Sequence, residues 1–175
     1  MKTVRYILRL TLTLLLITGV TAALLGLVNE LTEDKIDTLT REKAEKAMQE
    51  VLPAEQYEAL PVETDGITAA YRAGDAGYVL RVSTNGFGGA IDMMVGVDTS
   101  GAVPPLSIIS HSETASLGAN CTREDFRSQF VGASGAVAVT KDGGQIEALT
   151  GATVTSRAVS DGVSLALRYV KEVLE

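Results

Sequence analysis

The stretch Glu147-Ala148-Leu149-Thr150-Gly151-Ala152-Thr153-Val154-Thr155-Ser156 gathers three Thr hydroxyls and a Ser hydroxyl around a Gly-Ala pair. It stands directly ahead of a long helical pattern. One such hydroxyl suffices to cap a helix start, and that ordinary role stays open. Three Thr and a Ser exceed what one cap needs. The leading amides of a helix have no intrahelical acceptor and favour an anion, phosphate above all. Gly151 and Ala152 would let a bulky group come close to the backbone. A second stretch, His111-Ser112-Glu113-Thr114-Ala115-Ser116-Leu117-Gly118-Ala119, is a polar loop of small residues after an expected strand. Loops at strand ends often line sites, and His111 with Glu113 has the residue types of an acid/base pair. No nucleophile with an orienting partner lies near it in sequence, so a plain connection is equally open. The third stretch, Asn85-Gly86-Phe87-Gly88-Gly89, has the glycines of a phosphate cradle but lacks the G-x-G-x-x-G spacing and the lysine of a P-loop. It reads as a turn.

These stretches belong to a chain of 175 residues, which fits one compact domain with an appendage. The formal charge of −7 argues against nucleic acid as a partner, since phosphate binding needs a basic face. One Cys excludes an internal disulfide and an iron–sulfur cluster held by this chain alone. One Cys and one His cannot assemble a zinc cluster, so no metal site is expected. At 46% hydrophobic, the chain can bury a core.

The charge is split. Residues 1–29 carry Lys2, Arg5 and Arg9 and no acid, whereas the remainder is strongly acidic. Between Leu10 and Asn29 there is no charge at all. Twenty residues in a helix span roughly 30 Å, about the hydrocarbon thickness of a bilayer. With cations on one flank and Glu30, Glu33 and Asp34 on the other, the positive-inside rule puts the N-terminus in the cytoplasm. A buried core helix and a cleaved signal peptide are the alternatives. Against cleavage, the apolar run continues past Ala23 through Leu24, Leu25, Leu27 and Val28. The expected organisation is a cytoplasmic N-terminus over 1–9, a membrane helix over 10–29, a helical stalk over 30–53 and one extracytoplasmic domain over 54–175.

Elements that must position the three stretches follow from periodicity. Ile36, Leu39, Ala44, Ala47, Met48 and Val51 recur at helical steps until Pro53. Strands are expected over 68–72, over 78–83 as a half-buried strand, and over 91–97 and 103–110 around an Asp98–Gly101 turn. Pro104 and Pro105 belong at a strand start or an edge. Thr122 and Asp125 resemble a capping box ahead of a short helix carrying Phe126 and Phe130. Residues 137–139 suggest a further strand. A last helix over 154–174 lines up Val159, Val163, Ala166, Val170 and Val173. The fold class is α+β, a mostly antiparallel sheet with flanking helices behind a membrane helix.

Glu147-x-x-Thr150-Gly151-Ala152-Thr153 resembles the Asp-x-x-(Ser/Thr)-Gly-Ala-Thr flavinylation motif of FMN-binding domains. His111-Ser112-Glu113-Thr114 through Leu117-Gly118-Ala119 is similar to that family's His-x-Glu-Thr-x-x-Leu-Gly-Ala segment. Val154-Thr155-Ser156-Arg157 also looks like the family's continuation, and the likeness covers nearly the whole chain. Glu147 stands where Asp is usual, and Ala115-Ser116 where Pro-Gly is common. Within the family the chain resembles the G subunits of Rnf-type ion-translocating complexes, related to the C subunits of sodium-pumping NADH:quinone reductases.

The resemblance implies FMN joined through its phosphate to the Thr153 hydroxyl. It implies a cofactor site of Thr150, Gly151, Ala152, Glu113, Thr114, Leu117 and Gly118 beside that acceptor. It further implies an electron-carrying subunit, with no independent catalysis of its own, in a membrane complex that couples ferredoxin/NAD electron transfer to Na⁺ or H⁺ translocation. Its partners would be the other subunits, a separate flavin transferase and the lipid bilayer. Two rivals remain: an anchored binding or scaffold module without cofactor, and a hydrolase using His111 and Glu113. Cys121 reads as a buried thiol, with a reactive thiol close to the flavin as the alternative.

Overall fold

The computed structural model describes residues 2–174, and only the backbone of Lys2, Thr3, Asp34 and Asp37. The ends of the expected segments at Met1 and Glu175 lie outside the described residues, as do the side chains of Lys2 and Asp34 invoked for the charged flanks. The chain divides into two units, residues 1–42 and 43–175.

The first unit is helix over all of its described residues. Helix α1 runs unbroken from Lys2 to Val51, so its last turns belong to the second unit. The segment Val4–Glu33 is apolar and long enough to cross a membrane, with none of it buried by protein. Its threonines do not disturb that character. The hydroxyls of Thr13, Thr18 and Thr21 donate to the carbonyls of Arg9, Leu14 and Ile17 at 2.8, 2.9 and 2.8 Å, so they are satisfied within the helix.

The second unit is an antiparallel meander with a layer on each face. Strands β1 (Glu58–Leu60), β2 (Ile67–Arg72), β3 (Gly77–Asn85), β4 (Ala90–Asp98) and β5 (Ser107–His111) pair in chain order. The β3–β4 hairpin is in register from Gly77↔Asp98 to Asn85↔Ala90. Asp98 closes the next turn, accepting from the amides of Ser100 and Ala102 and the Ser100 hydroxyl. Helix α3 (Thr153–Tyr169) covers one face, setting Val159, Val163 and Ala166 on Leu80, Val82, Met93 and Val95. Ala47, Met48 and Val51 of α1 cover the other, against Ala73, Val79, Met94 and Ile109. Strand β3 is therefore buried on both faces, not the half-buried strand that its alternation suggests, because helices supply apolar cover on each side. Short helix α2 (Glu124–Arg127) and the turn after it bring Phe126 and Phe130 into edge-to-face contact at 5.4 Å. Such a pair adds about 0.5–1.5 kcal/mol beyond its buried area.

Several expectations need correction. Strand β1, three residues on a sheet edge, carries no alternation that would announce it. Strand β5 starts at Ser107, because Pro104 and Pro105 have no N–H for a ladder. Val103 instead exchanges bonds with Gly132 and Ala133 at 2.8 and 2.9 Å. Thr122 does not cap α2: its hydroxyl donates to Ala119, Arg123 holds the cap position, and Asp125 accepts from the Phe126 amide. Residues 137–139 make no strand but a single parallel bridge, Val139 to Ile146. Helix α3 gives way at Val170 to a wider π-type turn over Val170–Leu174, and that change of pitch carries Val173 off the buried face into solvent.

Candidate functional site

Glu113 organises the region where the three chemical stretches meet. It lies just past β5, and its side chain is 8% exposed. One carboxylate oxygen accepts from the Gly88 amide at 3.0 Å, the other from the Thr155 hydroxyl at 2.7 Å. A single side chain thus ties together the β3–β4 loop, the loop after β5 and the first turn of α3. Burial pushes its pKa up, but the bonds from Thr155, Gly88 and Phe87 and the nearby His111 outweigh that and hold it below the ordinary carboxyl value. Glu113 is a fixed anion and not a poised proton carrier. His111 does not engage that carboxylate by a hydrogen bond; its Nδ1 accepts the Glu113 backbone amide at 3.2 Å. The acid/base pairing considered from sequence is not formed.

Two glycines allow this convergence. A Cβ on Gly118 would overlap a Glu113 carboxylate oxygen and lie 2.8 Å from the Thr155 hydroxyl, and one on Gly86 would also overlap the carboxylate. The glycines of the Asn85–Gly89 turn therefore serve close packing, which their spacing does not reveal. Gly86 donates to Gly89 at 2.8 Å to close that turn, leaving Phe87 at its tip, 74% exposed.

Helix α3 begins with Ala152 as its cap residue, and no side chain caps it. Just before it, Ala152 donates back to Leu149 at 2.9 Å, with Gly151 at φ 76° between them. That conformation favours glycine, and a Cβ there would also press on Leu117 at 3.1 Å. The hydroxyls then part ways. Thr155 and Ser156 are buried, one on Glu113, the other accepting from the Leu149 amide and donating to the Ala152 carbonyl. Thr153, half-buried, accepts from the Lys141 ammonium at 3.2 Å.

Between these elements lies a groove of 470 Å³, within the range of small-molecule sites. Its lining includes Thr153, Gly151, Ala152, Glu113, Thr114, Leu117 and Gly118, all anticipated from sequence. Thr150 is exposed and stands outside that lining, and the Glu147 side chain is exposed as well. Gln129 clamps the Glu147 backbone, its oxygen accepting the amide at 2.7 Å and its nitrogen donating to the carbonyl at 3.4 Å. Phe87, Lys141, Val154 and Thr155 also line the groove. Phe87 and Lys141 were not anticipated: one was read as a turn residue, and Lys141 lies in a loop without pattern. Phe87, Leu117 and Val154 offer exposed apolar surface beside the Thr153 hydroxyl, the combination a planar ring with a phosphate tail requires. Cys121 is buried, and burial together with the Glu113 charge raises its thiol to about 11, so it stays protonated and inert. A larger hollow of 640 Å³ opens by Val97, Gly135, Leu167 and Lys171, but none of the residues from the three stretches line it.

Comparison with known proteins agrees with this picture. Residues 86–168 match the model of the FMN-binding domain, and residues 1–51 match that of the RnfG N-terminal region. The G subunit of the ion-translocating oxidoreductase complex of Methanosarcina acetivorans is 34% identical over 175 residues, covering 93% of each chain. The G subunit of a proton-translocating ferredoxin:NAD(+) oxidoreductase complex from Clostridium ljungdahlii is 44% identical over 97 residues, 53% of this chain and 52% of that one. Among solved structures, the C subunit of the Na(+)-translocating NADH-quinone reductase of Parabacteroides distasonis superposes with a TM-score of 0.52. The match covers 74% of this chain and 82% of that one at 20% identity, a likeness of fold.

Proposed function

This chain belongs to the family of G subunits of ion-translocating oxidoreductase complexes, and we propose that it serves its complex as an electron carrier whose FMN is joined through phosphate to Thr153. With one apolar helix of spanning length among the described residues, it is a single-pass membrane protein. The Arg5 and Arg9 flank favours a cytoplasmic N-terminus and an extracytoplasmic domain. Protease added to intact spheroplasts should then digest the domain and spare the N-terminus; full protection would reverse the orientation. The family supports the other subunits of an Rnf-type complex as partners, and the proposed reading adds that the complex couples ferredoxin/NAD electron transfer to Na⁺ or H⁺ movement and that a flavin transferase loads the chain.

FMN, when bound, supplies one- and two-electron transfer. This chain's residues supply position and surroundings. Of the threonines from 150 to 155, Thr153 offers the groove hydroxyl that no carboxylate holds, since Thr150 lies outside the lining and Thr155 donates to Glu113. Gly151 keeps the backbone beside the acceptor low, and Phe87, Leu117 and Val154 give a flat ring apolar surface. Glu113, charged and immobile, fixes the three segments that form the walls. The observation that supports the reading most is this pairing of a half-buried hydroxyl at an uncapped helix start with an apolar wall. The helix dipole there is worth only about 0.3–1 kcal/mol to an anion, too little to hold an exposed carrier by itself, which favours a covalent tether.

The test is co-expression with a flavin transferase. The wild-type chain should give a band that fluoresces under ultraviolet light on a denaturing gel, with added mass equal to FMN minus water. Thr153→Ala should abolish the label and leave folding and membrane insertion intact. A label that survives in Thr153→Ala and vanishes in Thr155→Ala would move the acceptor by two residues. A wild-type chain never labelled beside an active transferase would favour a module without cofactor.

A further inference from the structure

We infer that Lys141 is a positioning residue for loading, its ammonium holding the phosphate of the incoming flavin nucleotide against the Thr153 hydroxyl; this rests on Thr153 being the acceptor. The Lys141 Nζ lies 3.2 Å from Thr153 Oγ1, and among the described residues no salt bridge takes it. Its hydrogen-bond partner is a neutral hydroxyl at the rim of an apolar-walled groove, while the adjacent Asp142 carboxylate feels its charge but spends both oxygens on Arg157, so a phosphate on Oγ1 would meet an ammonium that no carboxylate touches among the described residues. Any phosphorus bonded to Oγ1 brings its non-bridging oxygens within reach of an ammonium that already touches Oγ1.

The placement of Lys141 is built in. It sits in the single turn Thr140–Asp142, and the next residue, Asp142, is gripped by Arg157 through two bonds of 2.6 and 2.7 Å. Thr153 and Arg157 are four residues apart, so they share one face of α3. The same short turn therefore touches that face twice, once through Asp142 and once through Lys141. Behind it, Gly144 is packed so closely on Ala138 that a Cβ would overlap the Ala138 carbonyl, and the Gly144 amide donates to Val139 at 3.0 Å. Because Asp142 faces Arg157, the acid next to Lys141 has its own partner.

In loading, Thr153 Oγ1 attacks phosphorus of a flavin nucleotide activated as a phosphoanhydride. The Oγ–P bond forms as the P–O bond to the departing phosphate group breaks, and the bonding pair leaves with that group. The hydroxyl proton passes to a base of the transferase, and no oxidation state changes. Phosphoryl transfer of this kind depends on positioning and on stabilising charge at the equatorial oxygens. Lys141 is placed to do both.

The experiment follows loading, not electron transfer. Full-length chain in nanodiscs is mixed with purified transferase and a pyrophosphate-linked flavin donor. The labelling rate is then read by intact mass at several donor concentrations. Lys141→Met should slow labelling at subsaturating donor by about tenfold to a hundredfold. Lys141→Arg, which keeps the charge, should recover most of the rate, and Lys171→Met should match wild type. Lys141 is exposed, so the Met variant should melt like wild type; Lys141→Gln is the substitute if it does not. Wild-type rates in Lys141→Met, beside a Thr153→Ala chain that takes no label, would overturn the role of Lys141 and leave the acceptor standing. Equal slowing in the Met and Arg variants would overturn it as well, because charge would not be the cause. Labelling of Thr153→Ala at the wild-type rate would overturn acceptor and inference together.

Discussion

At its first turn α3 meets a closely packed polar floor; at its last it borders a wide hollow. The first turn places Thr155 and Ser156 out of solvent, one on a buried carboxylate, beneath a groove of 470 Å³. The last turns widen into a π-type turn and line a hollow of 640 Å³ whose charged groups, Arg168, Lys171 and Glu172, all face water. Size alone would favour the wrong end. A buried, fully bonded ion is difficult to assemble, and its presence marks the end where geometry is held fixed. The larger hollow asks nothing of its residues except that they be soluble.

The sharpest way to break this contrast is to remove the ion. Glu113→Ala leaves the Thr155 hydroxyl and the Gly88 amide without their acceptor, and each bond to a charged group is worth about 1.5–3 kcal/mol. We expect a loss of about 3–5 kcal/mol, seen as a fall in melting temperature of roughly 10 °C for the full-length protein in detergent. Lys171→Met at the other end should stay within about 0.5 kcal/mol. Comparable losses at both ends would dissolve the distinction.

Crowding gives the next effect. Gly118→Ala forces a methyl into the Glu113 carboxylate and against the Thr155 hydroxyl, and overpacking of this kind costs about 1–3 kcal/mol. Gly101→Ala meets no atom within 4 Å, so its cost comes from φ 76° alone. Thermal melts of the two variants should separate steric from conformational loss, and equal melts would show that the floor yields.

Acid supplies the smallest effect. The Glu113 pKa is lowered in the folded chain, so its contribution to stability is fully present above the ordinary value of 4.5 and is lost as pH falls through the folded value. Asp98, lowered by the Ser100 hydroxyl with the Ser100 and Ala102 amides, titrates in the same direction. Melting temperature should therefore decline on acidification below that region, and Glu113→Gln should flatten part of the slope. An unchanged slope in Glu113→Gln would mean that its carboxylate gains nothing from its partners.

How much of this was legible depended on whether a residue's role is local. Gly151, Ala152 and Thr153 act within one turn and a helix start, so their order in the chain announces them. Leu117 and Gly118 stand in a loop whose pattern is equally compact. Glu113 was visible as a site residue, but its partners lie 25 and 42 residues away, and only packing turns it into a latch. Lys141 reaches Thr153 because Asp142 and Arg157 pair across fifteen residues, and no periodicity encodes that. Phe87 shares its stretch with four turn-forming residues, which hid an exposed ring among turn signals. The late start of β5 was written in Pro104 and Pro105, whereas β1 is too short for any alternation to register.

The meander has a consequence for the order of events in synthesis. Each strand bonds only to its neighbours in the chain, so the sheet can assemble while later residues are still emerging. Helix α3 comes last, and until it docks, one sheet face lacks Val159, Val163 and Ala166 from its core and the groove has only part of its walls. The Thr153 hydroxyl and the Lys141 turn meet only when the chain is nearly complete. Any enzyme that must recognise that meeting can act only on finished molecules, so a flavin label on Thr153 would also certify that the domain beneath it had folded.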